Sequence, residues 1–401
     1  MRALRLLTLC AALGASIQFS IAQDSRPSLT TIYNSGSTGG LVFGANGALY
    51  GIGDYEVIEL IPPASPGGTW TATVLANVGG FAGPVIGKNG TLYGTTLSPY
   101  GTVYDVVPPA SPGGAWTANT LYTMTNGTAG YGLFAGVAIG NEGALYGASN
   151  FGGASPTGCY AGVGCGALFR LASPASPGGA WIITVLHDFT GGSDGANPSA
   201  SPVIGPKGEL YGTTWFGGTS DLGTVYEMTP SPGGAWTETV LHTFTGQPGD
   251  GAYPWASLVI GKNEELYGTT VDGGTSNIGA VFELTPPASP GGAWTKTVLY
   301  SFAGGSDGAH PQGAVVIAND GVLYGTTING GTPCGCGTVF ALKPPASQGA
   351  AWTETVLDSF TDGTDGGYPC ASLVIGKSGA LYGTTSMGGP LNAGTWFQLT
   401  P

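Results

Sequence analysis

Four carboxylates recur at one place in the sequence. Asp194, Asp250, Asp307 and Asp365 are each followed by Gly and, three residues after that Gly, by Pro198, Pro254, Pro311 and Pro369. Carboxylates gathered in a ring can hold a hard cation such as Ca2+ or polarise a substrate. The competing reading is local: Asp caps its own turn and the Gly after it takes a positive φ. Repetition favours the turn, and no Asp-x-Asp-x-Asp-Gly calcium loop accompanies it. The four Asp are therefore a candidate Ca2+ set, and no resident cofactor is expected.

Two tryptophans break the pattern of their surroundings. Val271, Ile328 and Ser386 stand where Trp215 does, and Cys370 stands where Trp255 does. With Tyr253, Asp250 and His310 they form a candidate ligand site. Flat aromatic faces stack on the C–H faces of a sugar, while a carboxylate and loop amides bond its hydroxyls. The alternative is that these rings pack one repeat on the next. Of the three His, His187 and His242 share a position held elsewhere by Tyr33, Ala76, Tyr122, Tyr300 and Asp358, so both are read as solvated. His310, beside Asp307, is the His of the candidate functional face. No hydrogen-bonded base can be assigned to it, so no catalytic residue is named. Gly191-Gly192 precedes an Asp-Gly turn and opens no helix, which excludes a phosphate loop.

Five cysteines follow the N-terminal leader: Cys159, Cys165, Cys334, Cys336 and Cys370. Cys334-Gly335-Cys336 has neither a nearby His nor a second Cys pair at zinc spacing, so disulfides are expected rather than a metal. Cys159–Cys165 would close the insertion Ser149 to Gly166. One of Cys334 and Cys336 pairing with Cys370 would staple adjacent repeats.

The elements that must position these residues are repeats. Leu-Tyr-Gly begins at Leu49, Leu92, Leu145, Leu210, Leu266, Leu323 and Leu381, at steps of 43, 53, 65, 56, 57 and 58 residues. Each copy carries short runs of Val, Leu, Thr, Tyr and Phe bounded by Gly, Pro and Asn, the pattern of strands and hairpins. In Ser257 to Phe302 the strand candidates are SLVIG, LYGTT, GAVFELTP and WTKTVLYSF. Four strands per unit of about 55 residues are expected of a propeller blade. Seven first, second and third strands are present, but only six Trp-led fourth strands, at Trp70, Trp116, Trp181, Trp236, Trp294 and Trp352. Residues 29–35 supply the missing one. The expected fold is all-β: a seven-bladed propeller of four-stranded antiparallel blades, closed by the N-terminal strand and occupying 23–401 as one domain.

The repeated LYGTT, Gly-Gly loop, GTVF and W-TVL units, best formed in Glu209 to Phe244, Glu265 to Phe302 and Val322 to Phe360, resemble the GloVer tandem repeat. That resemblance implies an exported bacterial protein of the choice-of-anchor type and brings no activity with it. The first two units depart from it, because Tyr55 and Gly101 follow Leu-Tyr-Gly closely and the Gly-Gly loop is missing. The third strand ends at Pro401, and no C-terminal anchor is read there.

Composition limits the functions. Gly (75) and Pro (29) make up about a quarter of the 401 residues, yet 9 Trp and 18 Tyr argue against disorder. The charge of −13, with 10 Lys and Arg and no basic cluster, excludes nucleic acid as a partner. Met1 to Ala22 reads as a secretory signal peptide, with Arg2 and Arg5, the apolar run Leu6 to Ala15 and Ser20-Ile21-Ala22. No membrane span is expected after its removal. The expected protein is a secreted or periplasmic monomer. It acts as a binding module for an extracellular saccharide or protein surface. A glycan lyase or hydrolase using loop carboxylates is the alternative, and a purely structural surface protein a third.

Overall fold

The computed structural model describes residues 27–401 except 36–38, 66, 98–99, 112, 126, 155–158, 160–162, 177, 290 and 348. The expected leader lies outside the described residues. Seven four-stranded antiparallel sheets form the ring of a seven-bladed β-propeller. Blade four (203–243) shows the plan: Val203–Ile204, Leu210–Thr214, Thr224–Pro230 and Trp236–Thr243 pair in that order. Blades one to six span 42–77, 85–123, 138–188, 203–243, 259–301 and 316–359.

The Gly of each Leu-Tyr-Gly has a packing reason. It lies opposite the third-strand aromatic, as Gly147 does Phe169, Gly268 does Phe282 and Gly325 does Phe340. A Cβ on Gly325 would stand 2.5 Å from Cζ of Phe340, so the ring occupies the space a side chain would need. Blade one carries Ile58 where the others carry a ring.

Each blade is joined to the next by aromatic contacts. The Phe that ends a fourth strand packs on the third-strand ring of the following blade. Phe189–Tyr226, Phe244–Phe282, Phe302–Phe340 and Phe360–Phe397 have centroids 5.3, 5.3, 5.2 and 5.2 Å apart. At the opposite end, the Trp that opens a fourth strand packs on the Leu-Tyr-Gly Tyr of the preceding blade. Trp116–Tyr50, Trp236–Tyr146 and Trp294–Tyr211 are 6.1, 6.1 and 5.9 Å apart. Trp70 reaches Tyr382 at 5.9 Å and carries the same contact from blade one to blade seven.

The ring closes as the strand count requires. Ser28–Tyr33 pairs antiparallel with Trp396–Thr400, from Ser28↔Thr400 to Tyr33↔Trp396, and so supplies the outer strand of blade seven. The strand stops two residues earlier than expected, because Ser35 turns inward, is buried, and donates to Asp54 Oδ2 at 3.0 Å. Ser35 stands where blades three to six have Phe189, Phe244, Phe302 and Phe360 and blades one and two have Val78 and Met124, and Trp396 stands where Val225, Val281 and Val339 stand. The large ring of Trp396, fully buried and 5.5 Å from Tyr33, fills the volume that Ser35 and Ile58 leave.

The innermost strands are shorter than SLVIG suggests: only Val259–Ile260 pairs in blade five. The preceding carbonyls bond to the neighbouring blade instead. Thr213 Oγ1 donates to Ala256 O at 3.2 Å, Thr269 to Gly313 O at 3.1 Å and Thr326 to Ala371 O at 3.3 Å. Thr384 donates to Gly39 O at 3.2 Å and so ties blade seven to blade one.

Two outcomes follow from this packing. Gly325→Ala must displace Phe340 and should cost about 1–3 kcal/mol, read from denaturant unfolding. Removal of residues 27–35 should expose the edge of Trp396–Thr400, with a lowered Tm and concentration-dependent aggregation. A monomeric protein melting at the parental temperature would contradict closure.

Candidate functional site

The loops that enter each blade and those between second and third strands meet on one face. They meet through β-bridges: Tyr131↔Phe151, Ala196↔Phe216, Ala309↔Asn329 and Gly367↔Met387, and in blade five through Gly251–Ala252 with Asp272–Gly273. The Gly doublets permit this approach, since a Cβ on Gly217 would stand 2.5 Å from the backbone of Gly195. In blades four to seven the residue before the loop Pro is left-handed: Asn197, Tyr253, His310 and Tyr368 have φ of 54–58°. The bend sends the residue after each Pro to the centre of the ring.

There a depression of about 240 Å3 opens, lined by all seven blades and therefore on the ring axis. At one equivalent position, blades two to seven contribute Phe81, Phe134, Ser199, Trp255, Gln312 and Cys370. Among the described lining residues none is Asp, Glu, His, Lys or Arg. Burial pushes the Cys370 thiol up to about 11, so it stays protonated near neutrality.

Aromatic rings lead away from this depression without a break. Trp255 meets Trp215 at 4.8 Å, and Trp215 meets Phe216 and Tyr253 at 4.4 and 6.5 Å. On its other side Trp255 meets Phe134 at 6.1 Å, which touches Phe81 and Phe151 at 6.0 and 5.7 Å. Phe151 continues to Tyr131 and Tyr131 to Tyr100, at 5.6 and 5.7 Å. Trp215, Tyr253 and Trp255 are thus brought together as the sequence suggested. Phe81, Phe134 and Phe151 were missed, although Phe81 and Phe134 stand at the repeat position of Trp255; Phe151 matches Phe216, next to Trp215.

The other expected members lie elsewhere. Asp250 faces the outer rim, where it accepts from Thr245 N and Oγ1 at 2.9 and 2.8 Å, from Gly251 N at 2.8 Å and from Lys296 Nζ at 2.5 Å, with His242 Nε2 at 3.2 Å. Asp194 accepts from Thr190 N and Oγ1 at 2.8 and 2.5 Å and has His187 Nε2 at 3.3 Å. Asp365 accepts from Thr361 N and Oγ1, and Asp307 from Ala303 N and Tyr300 Oη. Each Asp is used within its own loop and blade seam, which is the turn-capping reading. Among the described residues no group of three His, Cys, Asp or Glu is arranged to hold a metal ion.

The histidines correct the sequence reading. His187 and His242 are not solvated: their side chains are 21% exposed and paired with Asp194 and Asp250. Outer-strand position and loop Asp, seven or eight residues apart, meet because the loop folds back on its own strand. His310 pairs not with Asp307 but with Asp272, Nε2 to Oδ1 3.5 Å, and its Nδ1 is buried without a partner.

The cysteines are half as expected. Cys159 pairs with Cys165, but Cys334 pairs with Cys336 and not with Cys370. The blade-to-blade staple is therefore absent at this seam. Cys334 and Cys336 face each other across a single Gly at the tip of their loop, 5.3 Å apart at Cα, while Cys370 turns toward the axis. Two disulfides fit an oxidising compartment. Among the described residues no helix is long and apolar enough to cross a membrane.

The seams carry the perturbed ionisations. Glu238, Lys296 and Glu354 occupy one register position, opposite Met228, Leu284 and Leu342. Lys296 pairs with Asp250. Burial alone would raise that carboxyl, but hydrogen bonds from His242, Lys296 and Thr245, with the Lys296 charge, hold it well below the carboxylate range. Glu238 and Glu354 have no such cation, and each has a buried Oε1 without a partner. Burial, then the negative charge of Asp194 or Asp307, pushes each from the ordinary 4.5 up to about 7, with His187 partly opposing this at Glu238.

The chain belongs to the Gloeobacter/Verrucomicrobia repeat family, whose sequence profile matches residues 160–397, more than half of it. No curated protein matches the chain in sequence. Among solved structures it is similar to an ancestral GH74 enzyme, at 12% identity and a TM-score of 0.50. That match covers 92% of this chain and 48% of that one. An auxiliary nutrient binding protein from Bacteroides thetaiotaomicron aligns at 11% identity over 94% of this chain and 76% of its own, with a TM-score of 0.46. Trypanosoma rangeli sialidase aligns at 12% identity over 93% and 58%, with a TM-score of 0.44. At these identities the likeness is one of fold.

The raised glutamates set a pH window. Between about pH 4.5 and 7 the folded protein keeps protons that the unfolded chain has released, so their stabilisation is full below 4.5 and lost as pH climbs to 7. Glu238→Gln with Glu354→Gln should flatten the fall of Tm across that interval. An unchanged slope in thermal melts of the double variant would exclude this origin.

Proposed function

We propose that this protein is an exported saccharide-binding module whose site is the axial depression and the aromatic rings beside it. One observation carries the reading: Phe81, Phe134 and Trp255 line the cavity together with two hydrogen-bonding side chains, Ser199 from the blade between Phe134 and Trp255 and Gln312 from the blade after Trp255. Apolar ring faces beside a few hydrogen-bonding groups are what a sugar presents in mirror image, with its C–H faces and hydroxyls. The volume, about 240 Å3, is below the roughly 300–1,000 Å3 of drug-sized ligand pockets and suits a single sugar ring at the axis.

A lyase or hydrolase is less well supported. Glycoside cleavage generally uses a pair of carboxyl groups flanking the bond. The described lining has none, and the loop carboxylates are committed to their own turns. The two disulfides, which persist in oxidising compartments, support export.

A glycan array probed with residues 23–401 tests the reading. Parental protein should bind a subset of saccharides, and Trp255→Ala should lose about tenfold or more in affinity without a change in melting. Binding indifferent to Trp255→Ala, or a blank array, would overturn it.

A further inference from the structure

The rings around the axis are unevenly distributed, and this points to the kind of saccharide. Blades two, three and five place Phe81, Phe134 and Trp255 at the axial position and blade four, with Ser199 there, supplies Trp215 and Phe216 beside it, whereas blades six and seven place Gln312 and Cys370 at the axial position. Asn329 and Met387 stand in those blades where Phe151 and Phe216 stand in blades three and four. From Trp255 the rings of Phe134, Phe151, Tyr131 and Tyr100 follow one another at steps of 6.1, 5.7, 5.6 and 5.7 Å, while on its other side Trp215, Phe216 and Tyr253 form a shorter cluster. The path ends at Tyr100, which is 45% exposed. A ligand confined to the depression would have no use for this arm.

Charge is the second constraint. No Lys or Arg is among the described lining residues, and the chain carries −13 overall. A uronate or sulfated sugar would enter without a counter-charge against a repulsive field. An uncharged sugar has its needs met by ring faces, by Ser199 and Gln312, and by loop backbone.

Building on the saccharide reading, we propose that the ligand is an uncharged, extended glycan of at least three sugar units. One unit sits in the axial depression and the others lie along the aromatic arm toward Tyr100. Trp255 anchors the axial unit, and Tyr131 and Tyr100 recognise chain length.

The test is a titration, followed by tryptophan fluorescence and calorimetry, with neutral gluco-, manno-, xylo- and galacto-oligosaccharides of one to six units. Oligogalacturonates and sulfated oligosaccharides of matched length form the anionic arm. Affinity should rise with length up to at least three units in a neutral series. Tyr131→Ala and Tyr100→Ala should weaken the longer chains by roughly 2- to 10-fold each and leave the monosaccharide unchanged. Trp255→Ala should weaken every length, and thermal melts of each variant should match the parental protein. Anionic chains binding more tightly, in a manner sensitive to salt and to Trp255→Ala, would overturn the uncharged class while leaving the axial site standing. Monosaccharides binding as tightly as hexamers would overturn the aromatic arm. No binding to any saccharide would remove both this proposal and the reading beneath it.

Discussion

Ring-on-ring packing between neighbouring blades is the contact on which everything else rests. A four-stranded sheet of this size has two apolar faces and cannot bury either alone. Phe244 on Phe282 near one end, and Trp294 on Tyr211 near the other, join blade four to blade five at two separated points. Repetition of this pair of contacts sets the ring. The Gly of each Leu-Tyr-Gly makes room for the third-strand ring, and the Thr after it bonds to the next blade where that Thr is present. Where Ser35 stands in place of the Phe, the seam is packed by the fully buried ring of Trp396 instead.

The same scaffold explains why chemistry is confined to one face. Between blades the side chains are consumed by packing, and even the charged ones serve the seam. Lys296 neutralises Asp250, whereas Glu238 and Glu354, at the matching position, are pushed up to about 7 by burial and by the nearby carboxylate. At the loop face the backbone is fixed by bridges and left-handed residues, but the side chain after each Pro is unconstrained by the repeat. Variation there changes the lining of the axis without disturbing the sheets.

Much of this was legible in the sequence. The seven Leu-Tyr-Gly copies, the six Trp-led strands and the orphan strand at 29–35 are enough for the ring and its closure, since an outer strand without a sheet has one place to go. Trp215 and Trp255 were legible too, because each breaks with its counterparts in the well-formed repeats, Val271, Ile328 and Ser386 for the first and Cys370 for the second. Phe81 and Phe134 were not, since the first three units lack the loop Pro that marks the position. The partners of His187 and His242 were hidden for a different reason. A hydrogen bond between an outer strand and the loop after it depends on how the loop turns back, and two Gly residues leave that direction open. Cys336 pairing with Cys334 rather than Cys370 likewise depends on which way the loop tip faces.

By itself, the sequence determined the period, the number of blades, the strand that closes them and the face where loops gather. These follow from residue types at repeated spacing, and repetition makes them redundant: each blade repeats the statement of the others. Only the tertiary structure decided what meets what across the seams and at the axis. Six entry loops, those of blades two to seven, place equivalent residues at a single depression, although these lie up to 289 positions apart, from Phe81 to Cys370. Such convergence is a property of the closed ring, in which residues far apart in the chain share one centre because every blade points its inner edge there.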